Sequence, residues 1–258
     1  YSGRCAAKEH VQMLRQLKRA ILWTSAAFTA VALAFGALIA WPDPLFAFSL
    51  SAGKIVVASD HPIDAAGGER LLRDCEALLE RSPLKPESRR YHVYVTNDDW
   101  RHRLFFVMRS KPLGLTYYYG FGGSAFLGGA NFETGRIVHW RYVAPPPRTL
   151  AYFCAHELTH VITGEHVGMA AFLRMSDWVR EGIADYVGFE HRQSFEQLRE
   201  ALGERPVDNR MMQTYGSYPR YRLLVTYFLE KKNWSVDELL ATRLSEDEAL
   251  AVMRADVS

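Results

Sequence analysis

Between Ala20 and Pro42 the chain carries no charged residue. About twenty apolar residues are what an α-helix needs to cross a ~30 Å hydrocarbon core. A helix packed into a soluble domain usually keeps a polar stripe, and this run lacks one. Trp23 and Trp41 stand near its two ends, where aromatic rings favour the membrane–water interface. Arg4, Lys8, Arg15, Lys18 and Arg19 precede the run against one acid, Glu9. That bias predicts a cytoplasmic N-terminus with everything after Trp41 on the far side. A cleaved signal peptide, cut near Ala47-Phe48-Ser49, is the alternative. The apolar run is longer than a 7–15-residue signal core, which favours an uncleaved anchor. The expected organisation is therefore a basic cytoplasmic segment (1–19), a transmembrane signal anchor (20–42), a Pro/Ser/Gly linker (43–53) and one domain (54–258).

Composition narrows what that domain does. With 31 basic and 29 acidic residues the net charge is only +2. That leaves no electrostatic case for a nucleic-acid partner. Cys5, Cys75 and Cys154 show no C-x-x-C spacing, so a zinc knuckle and a thioredoxin-type motif are both excluded. Cys75 and Cys154 either pair in an oxidising compartment or stay as free buried thiols.

The domain reads as α+β. A short strand is expected at Ile55–Ala58, a helix from Gly68 to Arg81, and an alternating strand at 91–96, with Asn97 as the cap of another helix. Residues 113–143, rich in glycine and aromatics, read as strands joined by tight turns. The tyrosines at 117–119 are expected to pack in the sheet. Pro145-Pro146-Pro147 reads as a stiff stop. A helix follows from Thr149 to Thr163, closed by Gly164. The remainder is mostly helical: Ser176 caps one helix, 195–202 and 219–232 form two more, and Ser235-x-x-Glu238 and Ser245-x-x-Glu248 are capping boxes.

On the helix after the prolines lies His156-Glu157-Leu158-Thr159-His160. Four residues turn a helix through roughly 400°, so the two imidazoles share a face and can reach one metal ion. Neutral imidazole suits zinc. Glu157 lies beside that face, where it can touch a metal-bound water without binding the metal. This is the H-E-x-x-H arrangement of zinc peptidases. Such a site needs three protein ligands and one open position. Glu181, 21 residues after His160, is the favoured third ligand. The rival is His166, at the spacing of the metzincin pattern H-E-x-x-H-x-x-G-x-x-H. That pattern requires glycine where this chain has Thr163, and a β-branched residue tolerates a left-handed turn badly.

The pair of motifs His156-Glu157-x-x-His160 and Trp178-x-x-Glu181-Gly182-x-Ala184-Asp185-Tyr186 resembles the gluzincins, the thermolysin-like peptidase MA superfamily. The likeness covers about residues 150–232. It implies a zincin-like domain with a small mixed sheet and a mostly helical C-terminal half. It also implies Zn2+ held by His156, His160 and Glu181, with Asp185 orienting the first histidine through its second ring nitrogen. That role is physically sound, since metal-bound histidines usually donate their other N–H to a carboxylate. A cap or surface acid is the plain alternative for Asp185; for Trp178 and Tyr186 core packing is preferred. The tyrosine-led helix from Tyr218 is similar to the one following the zinc helices in these domains. Tyr218, ahead of Tyr215 and Tyr221, is the expected oxyanion donor.

The resemblance implies a membrane-anchored zinc metallopeptidase acting on a peptide or protein, with Glu157 as general base. The substrate is expected along a sheet edge between Ser124 and Phe132. Two rivals remain. One is an anchored, zinc-containing binding module without catalysis, for which a replaced Glu157 would be the signature. The other is an intramembrane protease, disfavoured because Arg148, Glu165 and Arg174 surround the motif.

Overall fold

The computed structural model describes residues 2–257 apart from 88, 108–111, 121, 140, 141, 145, 146, 190–192, 203–206 and 217. Trp140, Arg141, Pro145 and Pro146, read above as strand and stiff stop, lie outside the described residues, as does Phe121. Two compact units result, Tyr1–Pro42 and Asp43–Ser258. The first is helix α1, Ser2–Ala40. Its stretch Arg15–Ala40, 26 residues long, contains an 18-residue segment of mean hydropathy 1.8, and Trp23, Phe28 and Leu33 on it are exposed. It is long and apolar enough to cross a membrane, a description that a signal sequence also meets.

The second unit is an α+β domain built on a five-stranded sheet. A 3-10 turn (Asp43–Leu45) leads into β1 (Phe48–Ala52) and β2 (Ile55–Ser59). Helix α2 (Ala65–Glu80), strand β3 (Tyr91–Val95) and helix α3 (Asp99–Phe105) follow, then β4 (Gly114–Tyr118) and β5 (Gly123–Leu127). The strand order is β1-β2-β3-β5-β4, with β2, β3 and β5 parallel and the outer strands antiparallel to their neighbours. Residues 48–52 are thus a paired edge strand, not part of a linker. Leu50 packs on the core while Ser49 and Ser51 face solvent, so the apolar signal in this strand is weak.

Period-two alternation assigns the two faces of the sheet. Val93, Val95, Ala125 and Leu127 join the core shared with α2, whose Leu71, Leu72, Cys75, Leu78 and Leu79 are buried. Tyr94 and Phe126, directly paired across β3 and β5, face the other way. There Phe105 of α3 stacks on Phe126 at 4.5 Å and Phe46 lies 5.0 Å from Tyr94. Asp64 caps α2 by accepting from Gly67 N at 2.7 Å. Helix α3 begins one residue later than expected, with Asp98 at its cap position and Asp99 in its first turn.

A two-stranded ribbon, β6 (Val138–His139) with β7 (Tyr142–Val143), precedes the long helix α4, Leu150–Val167. Thr149 caps α4 by accepting from Tyr152 N at 3.1 Å. Every residue from Leu150 to Gly164 is buried, because the sheet covers one side of the helix and later helices the other. Gly164 does not end it. The helix runs on to Val167 and stops at Gly168, whose φ of 79° suits glycine. Gly164 instead lies under the Tyr118 ring, where a Cβ would meet ring atoms at 2.7 Å.

The rest of the domain is helical: α5 (Met169–Phe172), α6 (Asp177–Gly188), α7 (Phe195–Leu202), α8 (Asn209–Tyr215) and α9 (Pro219–Thr226). A π-helical turn (Tyr227–Lys231) extends α9, and α10 (Val236–Ala241) and α11 (Glu246–Val257) close the chain. Helix α6 is packed between α4 and α9. Ser176 occupies its cap position without a side-chain cap bond. Both expected capping boxes form, Ser235 with Glu238 and Ser245 with Glu248.

Candidate metal centre

Helix α4 presents His156 and His160 one turn apart, and α6 brings Glu181 against them. Glu181 Oε2 lies 3.5 Å from His156 Nε2 and 3.5 Å from His160 Nε2. A tetrahedral ion with bonds of ~2.1 Å separates its ligands by ~3.4 Å. Glu181 thus stands at that spacing from both histidines, and with the three ligand atoms within 4.8 Å of one another the group could hold a metal. Both histidines are buried, at 5% and 7% exposure, which holds their rings in place at the edge of a cleft.

Electrostatics among the three side chains point the same way. Burial alone would lower the pKa of His156, but Glu181, Glu157 and Asp185 together hold it above its ordinary value. Burial pushes Glu181 upward, yet the two histidines beside it outweigh that and hold its carboxyl well below the usual range. Glu181 is thus a carboxylate at neutral pH, as a metal ligand must be.

Behind His156 lies a buried polar network. Asp185 is completely buried, so it is no surface acid. Its Oδ1 stands 3.7 Å from His156 Nδ1 and accepts from the Tyr152 hydroxyl at 2.5 Å. Arg222 Nη1 lies 3.5 Å from Asp185 Oδ2. The same guanidinium donates to Gln193 Oε1 at 2.7 Å and stacks over Phe189 at 3.8 Å. Burial raises the pKa of Asp185, with Arg222, His156 and Tyr152 opposing it.

Glu157 lies beside the triad and under β4. The Thr116 hydroxyl sits 2.7 Å from Glu157 Oε2 and 2.9 Å from its backbone oxygen. Gly114 leaves the room that the carboxylate occupies. A cleft of about 780 Å3 opens over these groups along residues 113–116, with Arg148, Arg180, Asn209 and Tyr218 among its other walls. Tyr218 stacks near His156, with ring centroids 6.0 Å apart and planes 14° apart. Burial, then the negative charge of Glu181, Glu157 and Asp185, raises its pKa, so its hydroxyl stays protonated.

The other sequence candidates fall elsewhere. His166, in the last turn of α4, lies at the surface with its Nε2 2.5 Å from Asp237 Oδ1. It takes no part in the metal group. Tyr215 and Tyr221 are partly buried against the core and do not line the cleft. Trp178 is core, donating from its indole to Leu244 O at 2.8 Å, and Tyr186 is buried with it. Tyr117 donates to Phe105 O at 2.6 Å, a packed sheet residue. The expected substrate edge at 124–132 is corrected. Ser124 to Leu127 pair with β3 on one side and β4 on the other, and β4 is the outer strand beside the cleft.

Sequence reasoning missed Tyr152, Thr116, Gly114, Arg148, Arg180 and Arg222. Tyr152 had a signal, since it precedes His156 by four residues and so shares its helix face. Arg222 lay within the tyrosine-led helix without an assigned role. Arg148, two residues before α4, was read only as a charge near the motif, and Thr116, Gly114 and Arg180 had no signal, because only the folding of β4 and α6 against α4 brings them in. Comparison with protein-family models returns no match, and neither does comparison with curated proteins.

Proposed function

We propose that the chain is a membrane-anchored zinc metallopeptidase that hydrolyses peptide bonds, with Glu157 as general base. The observation that carries this reading is the convergence of His156, His160 and Glu181, with Glu181 3.5 Å from each histidine, beside Glu157 and along an open cleft. Two imidazoles and one carboxylate suit zinc, whereas calcium and magnesium prefer oxygen ligands in larger number. When bound, zinc supplies Lewis acidity that acidifies water and polarises the scissile carbonyl.

The chain's own groups do the rest. Glu157 takes the proton of the attacking water and delivers it to the departing amine. Thr116 holds one carboxylate oxygen of Glu157, so the base is oriented before substrate arrives. Tyr218 keeps its proton and donates to the developing oxyanion. Asp185, fixed by Tyr152 and Arg222, orients His156 from behind. The outer strand β4 offers its edge to an extended peptide, and Arg148 and Arg180 add positive charge to the cleft. In this reading α1 anchors the protein with its basic end in the cytoplasm, and the domain acts outside.

The test is metal content and peptide hydrolysis on four forms. Glu157→Gln keeps zinc and loses turnover, Glu181→Ala loses both, and His166→Ala changes neither by more than about twofold. Zinc kept by Glu181→Ala but lost from His166→Ala would overturn the ligand assignment. Unaltered protein that binds zinc yet cleaves no peptide would instead select the non-catalytic binding module.

A further inference from the structure

Cys75 and Cys154 belong to different helices and have no part in the chemistry above. Both are completely buried, and their Sγ atoms face each other at 2.8 Å. Bringing that gap to the ~2.05 Å of a disulfide takes less than ~1 Å of movement. Their neighbours on α2 and α4 are apolar: Leu71, Leu72 and Leu79 on one helix, Ala151 and Leu158 on the other. Burial pushes the Cys75 thiol above its ordinary value. That is the setting of a structural cysteine rather than of a nucleophile.

We propose that Cys75 and Cys154 form a native disulfide that fastens the metal-bearing helix α4 to α2. The inference rests on the proposed extracytoplasmic placement of the domain, where disulfides form and persist, and not on the peptidase chemistry. The oxidant is a thiol–disulfide oxidoreductase. One cysteine thiolate attacks its disulfide, forming a mixed disulfide and releasing one of its thiols. The second cysteine attacks the mixed disulfide, closes the Cys75–Cys154 bond and releases the other thiol. Two electrons and two protons thus pass to the oxidoreductase, which leaves as a dithiol. Both sulfurs are sealed in the folded domain, so exchange precedes the closure of α2 on α4. The bond then joins positions 79 residues apart, two residues before the first metal-binding histidine.

The experiment uses the full chain isolated from membranes, denatured and alkylated without reductant. Cys5, ahead of the apolar run, serves as the internal control. The expected result is one alkylated cysteine, Cys5, and a cross-linked peptide pair containing Cys75 and Cys154, with three alkylated cysteines only after reduction. Opening the bond lowers the unfolding midpoint by about 10 °C. Three alkylated cysteines without reductant, in a chain whose domain is cut by protease from the far side of the membrane, overturns the disulfide. The same count in a chain whose domain is cut only from the cytoplasmic side overturns the placement and the disulfide together. A cross-linked chain that hydrolyses no peptide refutes the peptidase reading and leaves this bond standing.

Discussion

Replacing Gly114 with alanine isolates the packing of Glu157 against β4. The added Cβ would lie 2.2 Å from Glu157 Oε1, 2.7 Å from Cδ and 2.9 Å from Cγ. Ordinary contact begins at 3.4 Å, so the carboxylate must retreat by about 1.2 Å or the strand must lift. Gly114 is not in the left-handed region, so the alanine brings no backbone strain of its own. A 1 Å misplacement of a catalytic group costs about 10²-fold in rate, or roughly 2.7 kcal/mol of barrier. Overpacking costs about 1–3 kcal/mol of stability, which lowers the unfolding midpoint by roughly 2–12 °C. None of His156, His160 and Glu181 is touched, so the proposed zinc content is expected to hold. The assay is kcat on a fluorogenic peptide, zinc content and thermal unfolding, run beside Gly164→Ala. That control also overpacks α4, meeting the Tyr118 ring at 2.7 Å, but away from Glu157. It is expected to lose stability and keep kcat. If folded, zinc-loaded Gly114→Ala turns over like the unaltered protein, the placement of Glu157 as base beneath β4 is refuted.

Three further outcomes follow from the site. Tyr152→Phe removes the hydroxyl that donates to Asp185 at 2.5 Å, and zinc affinity should fall about 10-fold, measured by competition with a chelator. Affinity equal to the unaltered protein would show that Asp185 needs no such support. Because the folded pKa of metal-free His156 is raised above its ordinary 6.5, its stabilising contribution is full below 6.5 and is lost as pH climbs through the raised value. Glu181, held below its ordinary 4.5, contributes above that pH and loses its contribution as pH falls. A zinc ion bound as proposed must displace the His156 proton, so its binding at pH 6.5 should release protons, counted by calorimetry in buffers of different ionisation enthalpy. No release there would contradict the geometry of the pair. Arg148→Gln should raise KM for acidic peptides by about 10-fold while leaving neutral ones alone, since Arg148 and Arg180 line the same cleft. An equal rise for both classes would assign Arg148 to structure instead.

The charge-free run, the helix bearing His156 and His160, and the Ser235 and Ser245 capping boxes were all legible in the sequence. Each is written within a few residues, where helix periodicity and backbone capping leave little choice. Glu181 was favoured over His166 from the sequence, but two side chains 21 residues apart meet only if α6 folds back on α4, and that folding is tertiary. The true sheet edge was misplaced for the same reason: β4 and β5 look alike as sequences, and their order depends on which strand pairs with β3. Gly164 was misread as a stop because its real neighbour, the Tyr118 ring, arrives from a distant strand. The sequence by itself determined which residues can bind a metal and which stretch can span a bilayer. The tertiary structure alone decided what surrounds Glu157 and supports Asp185, because those contacts come from faces of separate elements that meet only once the core is packed.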